Sequence, residues 1–423
     1  MRLRQLITMF LLTACVIMAQ AVAPRLQASL VTCMPGPEIY ELEGHEAIRI
    51  HGVNSRGEAM DSVWNYGVFD FNTPGFIYRF VRGETDYMVW GYPFEWFMPQ
   101  YVERGSKVVE QQLNLTEEET LRLLRLLQTN ALPANRTYRY NYVRDNCSTR
   151  VAVMLDSAVA PRRIIYPDSV SYLSFRDAMR HYHRNYPWYQ FGIDLVLGSG
   201  IDHPLTARQE IFAPLRFMDL ASEARFSGGD SPLVSRTTVL NEGMADATLP
   251  ATPWYLTPMA MALVVMTISF GVAFWEWRNR KIARWWMTIF FTALGLIGCI
   301  VWFLVFFSSH DSTSPNLLCL WLSPLQLVLA LCVWWRVTRP AAMAMATVNL
   351  IVMILLVCIW PLQPQVTNMA VFPLWAATLV LCAVYALLYP ALKERRVAEG
   401  YLRHSKVSPR AGRRNNKRYS VKR

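Results

Sequence analysis

Nucleophilic and proton-transferring side chains are sparse in this sequence, and their positions narrow the chemistry it can carry. Of the eight cysteines, Cys299, Cys319, Cys332, Cys358 and Cys382 lie at or within long apolar stretches, where a thiol is a small apolar group, and Cys15 lies in the N-terminal leader. Cys33 and Cys147 remain. Cys147 stands in Asp145-Asn-Cys-Ser-Thr-Arg150, where Asn146 is a good helix N-cap, so a helix over 148–155 would present its first-turn amides and positive dipole end to the thiol. Such a placement favours thiolate over thiol and offers donors to an oxyanion, which is what a cysteine nucleophile needs. A Cys33–Cys147 disulfide is the alternative in an oxidising compartment.

A nucleophile of this kind needs a base. His310 and His404 fall in or beyond the apolar C-terminal region, His181 and His183 sit among Tyr and Arg in a stretch expected to be exposed, and His203 precedes Pro204 in a loop. His45 and His51 are left on an expected strand, and Gly44 before His45, which permits close backbone approach, favours His45. The facing strand, Trp64-Asn-Tyr-Gly-Val-Phe-Asp-Phe-Asn72, supplies Asn65, Tyr66 and Asp70 as groups that could orient the imidazole, and a turn centred on 55–57 sets His45 opposite 66–68. Arg144 and Arg150 flank the cysteine and could meet a phosphate, although a surface ion pair is the commoner fate of such residues. The sequence has no CxxC, HExxH, phosphate loop or GxSxG, and its acidic residues show no metal-ligand spacing, so neither a metal nor a cofactor is implied.

The elements that must position these groups can be read from pattern. Residues 43–51 and 63–71 read as a hairpin about the turn cluster Asn54-Ser-Arg-Gly57. Thr116 with Glu119 forms a capping box that opens an amphipathic helix through Leu121, Leu124 and Leu127; Asn146 opens a second helix and Ser174 with Asp177 a third. Residues 1–23 carry two arginines and an apolar run ending at Ala19-Gln-Ala21, and read as a secretory signal, a lipoprotein leader processed at Cys15, or a retained anchor; in all three cases the domain after it is exported. The exported catalytic domain is expected over 24–225, a Ser/Gly/Thr/Pro-rich linker over 226–256, five membrane spans over 257–390 and a basic tail over 391–423.

Charge settles what the composition means. The net +11 and 53% hydrophobic content exclude a disordered chain and first suggest a nucleic-acid binder. However, +10 of that charge lies in residues 391–423, whereas 24–256 carries −5. The connections around 277–284 and 336–339 are basic, and those around 308–314 and 363–368 carry no Lys or Arg. An odd number of spans with a cytoplasmic tail satisfies the positive-inside bias at every connection, so the charge describes membrane orientation and not a nucleic-acid partner.

A histidine on an early strand, a polar residue on the next and Asn-Cys opening a later helix resemble the circularly permuted papain-like enzymes related to NlpC-type amidases, among them lecithin:retinol acyltransferase. Thr32-Cys-Met-Pro-Gly36, Gly44-His-Glu-Ala-Ile-Arg-Ile50, Trp64-Asn-Tyr-Gly-Val-Phe-Asp-Phe71, Asp145-Asn-Cys-Ser-Thr-Arg150 and Phe191-Gly-Ile-Asp-Leu-Val-Leu-Gly198, followed by five spans, resemble the Lnb family of inner-membrane lipoprotein N-acyltransferases. The resemblance implies an α+β papain-like periplasmic domain before an all-α membrane domain, with Cys147 and His45 as the catalytic pair. It further implies acyl transfer from a membrane phospholipid, through a Cys147 thioester, to the α-amine of a diacylglyceryl-cysteine lipoprotein. A membrane-anchored cysteine amidase of the cell envelope, and a non-enzymatic envelope protein with the Cys33–Cys147 disulfide, are the alternatives.

Overall fold

The computed structural model describes residues 25–54, 56–244 and 250–407; the leader with Cys15, and 408–423 of the basic tail, lie outside the described residues. The chain divides into two compact units. Residues up to Thr252 together with Phe307–Ser314 form the first, and Pro253–Phe306 with the residues from Pro315 onward form the second.

The first unit is α+β. Strands β1 (Arg25–Cys33), β2 (His45–Val53), β3 (Ala59–Val68), β4 (Asp86–Pro93), β5 (Val108–Leu113), β6 (Thr137–Arg139) and β9 (Val234–Asn241) form one antiparallel sheet in the order β6-β4-β3-β2-β1-β5-β9. A short pair, β7 (Ile164–Ile165) with β8 (Arg225–Phe226), stands apart. The expected hairpin is β2–β3, paired Ala47 to Asn65, and Asn54 closes its turn by accepting the amides of Arg56 and Glu58 on its side chain.

Strand alternation gives the sheet two buried faces. Ala28, Leu30, Ile48, Ile50, Trp64 and Tyr66 pack beneath helices α1 (Glu117–Asn130), α2 (Cys147–Val159) and α5 (Pro214–Glu223). Val31, Cys33, Ala47 and Val63 point the other way, against Phe94, Phe97, Tyr101 and Val108. Helices α3 (Phe175–Tyr182) and α4 (Pro187–Val196) add a further layer, in which Phe175, Met179 and Phe212 form a satellite core. There Arg176 is buried and paired with Asp194 and Asp202.

The three expected caps are present: Thr116 and Asn146 with reciprocal capping boxes, and Ser174 accepting from the Asp177 amide. The linker expected over 226–256 is different. Its stretch Val234-Ser-Arg-Thr-Thr-Val-Leu-Asn241 is strand β9 and covers the β5 edge, because β-branched residues in a Ser/Thr-rich segment still suit a pleated edge.

The second unit is helical. Helices α6 (Pro258–Asn279), α7 (Arg284–Phe306), α9 (Arg339–Ile359) and α10 (Val371–Val407) are long and apolar enough to cross a membrane; the 22 residues of α6 alone span about 33 Å. Composition predicts five such helices, and the third stretch is the exception. Leu317–Leu320 is a 3-10 turn and α8 covers only Leu325–Cys332, interrupted at Ser323-Pro324. The break is accommodated by α7, where a Cβ on Gly295 or Gly298 would lie 2.8 Å from Leu327 N and 2.7 Å from the Ser323 backbone. Trp302 donates to Cys319 O at 3.0 Å and Gln326 to Trp321 O at 2.9 Å, satisfying carbonyls the break releases. The last helix continues past Pro390, so the tail begins as helix.

Gly44, which leads into β2, has φ +79°, and a Cβ there would stand 2.5 Å from Cys33 O. Gly44→Ala is expected to lower stability by about 1–3 kcal/mol through that backbone conformation alone, with the clash adding to it. Thermal unfolding of the full-length protein in detergent measures this, and an unchanged midpoint would contradict it.

Candidate active site

Asn146 places the thiol. Its side-chain oxygen accepts the Thr149 amide at 3.0 Å, and its nitrogen donates to Tyr142 O at 2.9 Å and Phe212 O at 2.7 Å. Cys147 therefore occupies the first turn of α2, 7% exposed and unoxidised. Its sulfur meets the backbone N–H groups of Glu46 and Ser148. The pairing of β2 with β3 ends at Ala47–Asn65, and the Glu46 amide beyond it is turned to the sulfur. Gly67, at φ +88°, leaves only a 3.9 Å contact between its would-be Cβ and the Cys147 Cβ.

His45 and Asn65 lie at the same strand ends. His45 Nε2 donates to Asn65 Oδ1 at 2.5 Å, and Asn65 Nδ2 donates to the Tyr92 hydroxyl at 3.0 Å. With Nε2 carrying the proton, Nδ1 is the basic nitrogen of the ring. Asn65 is thus the group that holds His45. Asp70 lies past the end of β3 in an exposed turn, where it accepts both nitrogens of Asn72, so it does not orient the ring.

By alternation, His45 and Asn65 share the sheet face of Ala47 and Val63, whereas α2 packs on the other. Among the described residues no hydrogen bond joins Cys147 to His45. The same alternation answers the disulfide alternative. Cys33 points into the cluster with Tyr101 and Val108, Cys147 packs under the opposite face, and both thiols are free.

Burial sets the electrostatics, against the sequence expectation of a stabilised thiolate. Loss of solvent raises the Cys147 pKa despite the opposing amides of Glu46 and Ser148. The same cause lowers His45 to about 4, so thiol and imidazole both rest neutral. Glu46, fully buried and accepting from the Thr32 hydroxyl at 2.8 Å, is raised well above the carboxylate range, and Glu43 is raised to about 8. Two acidic neighbours of Cys147 are therefore held protonated, and a thiolate at this position would not meet two negative charges.

Glu43 belongs to a polar cluster that sequence reasoning missed. The Tyr142 hydroxyl meets it and stands 3.3 Å from His183 Nε2; His183 Nδ1 is 2.8 Å from Gln190 Oε1, and Gln190 donates to Asp194 at 2.9 Å. His183, expected to be exposed, is fully buried, and burial lowers its pKa to about 4. The available signal was the polar run Glu43-Gly-His-Glu46 at the start of a strand.

The flanking arginines are engaged. Arg144 pairs with Asp311 at 2.5 Å, and Asp311 also accepts from Asn141 at 2.9 Å, which makes the connection Phe307–Ser314 part of this unit. Arg150 forks onto Asp145 at 2.6 and 2.7 Å and covers the Tyr138 ring at 3.6 Å. Beside Gly67 begins a run of aromatic rings: Tyr140 stacks on Tyr87 at 4.3 Å, Tyr87 meets Phe69 at 5.0 Å, and Phe69 meets Phe71 and Phe76. The run ends at exposed Phe71 and Tyr40. Among the described residues, no cluster of His, Cys, Asp and Glu is arranged to hold a metal.

These titrations predict opposite pH effects on stability. Glu43 rises from its usual 4.5 to about 8, so its contribution is full below about pH 4.5 and is lost as pH climbs to about 8. His45 and His183 fall from 6.5 to about 4, so theirs is present above about pH 6.5 and is lost as pH drops toward 4. Glu43→Gln should flatten the decline of thermal midpoint on the alkaline side and leave the acid side unchanged. Parallel wild-type and variant profiles from about pH 5 to about pH 8 would disprove the assignment.

Residues 16–178 match the Lnb N-terminal periplasmic domain, and residues 250–393 match the Lnb transmembrane domain. No curated protein and no solved structure gives a significant match. The two matches follow one another as the α+β unit and the apolar helices do, and on them the chain belongs to the Lnb family, with a periplasmic domain ahead of a membrane domain.

Proposed function

We propose that the protein is a lipoprotein N-acyltransferase of the inner membrane that works through a Cys147 thioester. The observation carrying this reading is a free thiol on the first turn of a capped helix, facing two backbone amides and walled by aromatic rings, in a chain with membrane-spanning helices. The order of His45 on β2, Asn65 on β3 and Cys147 on α2 also fits the circularly permuted papain-like arrangement.

In the first half-reaction His45 Nδ1 takes the Cys147 proton as the sulfur attacks a phospholipid ester carbonyl. Because both groups rest neutral, proton transfer accompanies attack and no thiolate accumulates beforehand. The Glu46 and Ser148 amides, which face the sulfur, are the donors proposed for the oxyanion. The C–O bond breaks, the proton passes from His45 to the departing alkoxide, and a lysophospholipid leaves the acyl chain on sulfur. The α-amine of a diacylglyceryl-cysteine then attacks the thioester carbonyl, His45 Nδ1 takes the proton from the attacking nitrogen, the C–S bond breaks, and the proton passes to the Cys147 sulfur as the amide is released. The aromatic run suits an acyl chain better than a peptidoglycan stem, which favours the transferase over an envelope amidase. If the tail is cytoplasmic, an odd number of crossings is needed, and beside the four helices long enough to cross a membrane the broken apolar segment Leu317–Cys332 would supply the other crossing, third in order.

Mass spectrometry of lipoprotein N-termini from cells whose sole copy is Cys147→Ala should show the diacylglyceryl group kept and the N-acyl chain gone; acylated N-termini would reject the proposal. In purified enzyme, His45→Ala should slow transfer by about 10²–10⁴-fold. Asn65→Ala should lose less and Asp70→Ala almost nothing, and equal rates for all three would remove His45 and Asn65 from the mechanism.

A further inference from the structure

A second site lies wholly within the membrane unit. A cavity of about 500 Å³ opens at the end of the bundle where the connection between α6 and α7, the start of α9 and the late part of α10 come together. Six cations line it: Arg280, Lys281, Arg284, Arg336, Arg339 and Lys393. No acidic residue lines it, and among the described residues no carboxylate pairs with Arg280, Lys281, Arg284 or Arg336. The one acid buried nearby in sequence, Glu276, is occupied by the Ala283 amide at 2.7 Å. Gathering this much like charge around a cavity is unfavourable unless an anion fills it.

An independent observation comes from Tyr385. It lines the same cavity and is 1% exposed, yet its hydroxyl has no hydrogen-bond partner. A buried hydroxyl left unpaired costs free energy that a ligand acceptor would recover. The remaining wall is apolar, with Ile282, Val333, Pro340 and Leu392, and the cavity sits at the ends of helices built to lie in lipid.

We propose that this cavity binds an anionic phosphate ester, and that its source is the headgroup of an anionic membrane phospholipid. The guanidinium groups of Arg284 and Arg336 meet phosphate oxygens, Tyr385 donates its hydroxyl, and the apolar wall takes the start of the acyl chains. This site is independent of the chemistry at Cys147.

Native mass spectrometry of the full-length protein in neutral detergent tests the proposal, with phosphatidylglycerol, phosphatidylcholine, inorganic phosphate and glycerol 3-phosphate as separate probes. Phosphatidylglycerol should remain bound where phosphatidylcholine does not. The double variant Arg284→Gln/Arg336→Gln should weaken that binding by about tenfold or more, whereas Arg278→Gln, outside the cavity, should not. Tyr385→Phe, which removes one oxygen, should weaken it several-fold and keeps the test decisive if the double variant does not fold. Cys147→Ala should bind as wild type. Equal retention of both lipids, or phosphatidylglycerol binding untouched by the double variant and by Tyr385→Phe, would overturn the proposal. Inorganic phosphate or glycerol 3-phosphate binding as tightly as the lipid would reject the lipid source.

Discussion

The arrangement at Cys147 depends on one side-chain amide. Asn146 ends the extended segment, starts α2, and ties the helix start to two carbonyls from separate stretches, Tyr142 and Phe212. It is 3% exposed, its bond to Phe212 O is buried and those to Tyr142 O and from the Thr149 amide are partly so, and a carboxamide supplies both the acceptor and the two donors required. Aspartate could cap the helix but could not donate to the carbonyls, and serine could not reach all three. Losing the amide would take their partner from the buried Phe212 carbonyl, the partly buried Tyr142 carbonyl and one helix amide, a larger penalty than the loss of an ordinary exposed cap.

Holding the thiol this firmly means burying it, and burial works against its ionisation. The helix dipole and the amides of Glu46 and Ser148 favour the thiolate, but desolvation outweighs them in the resting protein. The same dryness keeps His45 unprotonated, so a ring nitrogen is free to accept a proton although its basicity is lowered, and keeps Glu43 and Glu46 neutral. On the proposed function, the amides of Glu46 and Ser148 are donors already in place beside the sulfur and cost no reorganisation during attack. On the proposed function, a dry pocket would also protect a thioester from water, an advantage where an amine, and not hydroxide, is the acceptor.

Features encoded locally were legible in the sequence. The caps at Thr116, Asn146 and Ser174 and the hairpin of β2 with β3 depend on residues a few positions apart, so type and spacing suffice. The misreadings all involve distant partners. His183 looked exposed because its neighbours are Tyr and Arg, but Gln190 and Tyr142 pair with it inside the protein. Val234–Asn241 looked like linker because edge pairing with β5 has no local signature. Cys33 and Cys147 looked able to pair because sequence does not reveal that their side chains belong to opposite faces of one sheet. The third apolar stretch has the composition of a span, yet Pro324 and the close approach permitted by Gly295 and Gly298 make it a broken segment.

The two arginines beside Cys147 show how pairing, more than sequence position, decides a charge's role. Arg150 is committed twice, to Asp145 and to the Tyr138 ring, and Arg144 is neutralised by Asp311 from the connection between α7 and α8. Both pairs are partly exposed, so they contribute little stability, but they remove the net positive charge that would draw a phosphate to the helix start. The aromatic run from Tyr140 to Tyr40 is then the feature beside the thiol best suited to a lipid, through its acyl chain. In the basic cavity of the membrane unit the balance is reversed: among the described residues no carboxylate pairs with Arg280, Lys281, Arg284 or Arg336, and on the proposal made above the phosphate is the part of a lipid held there.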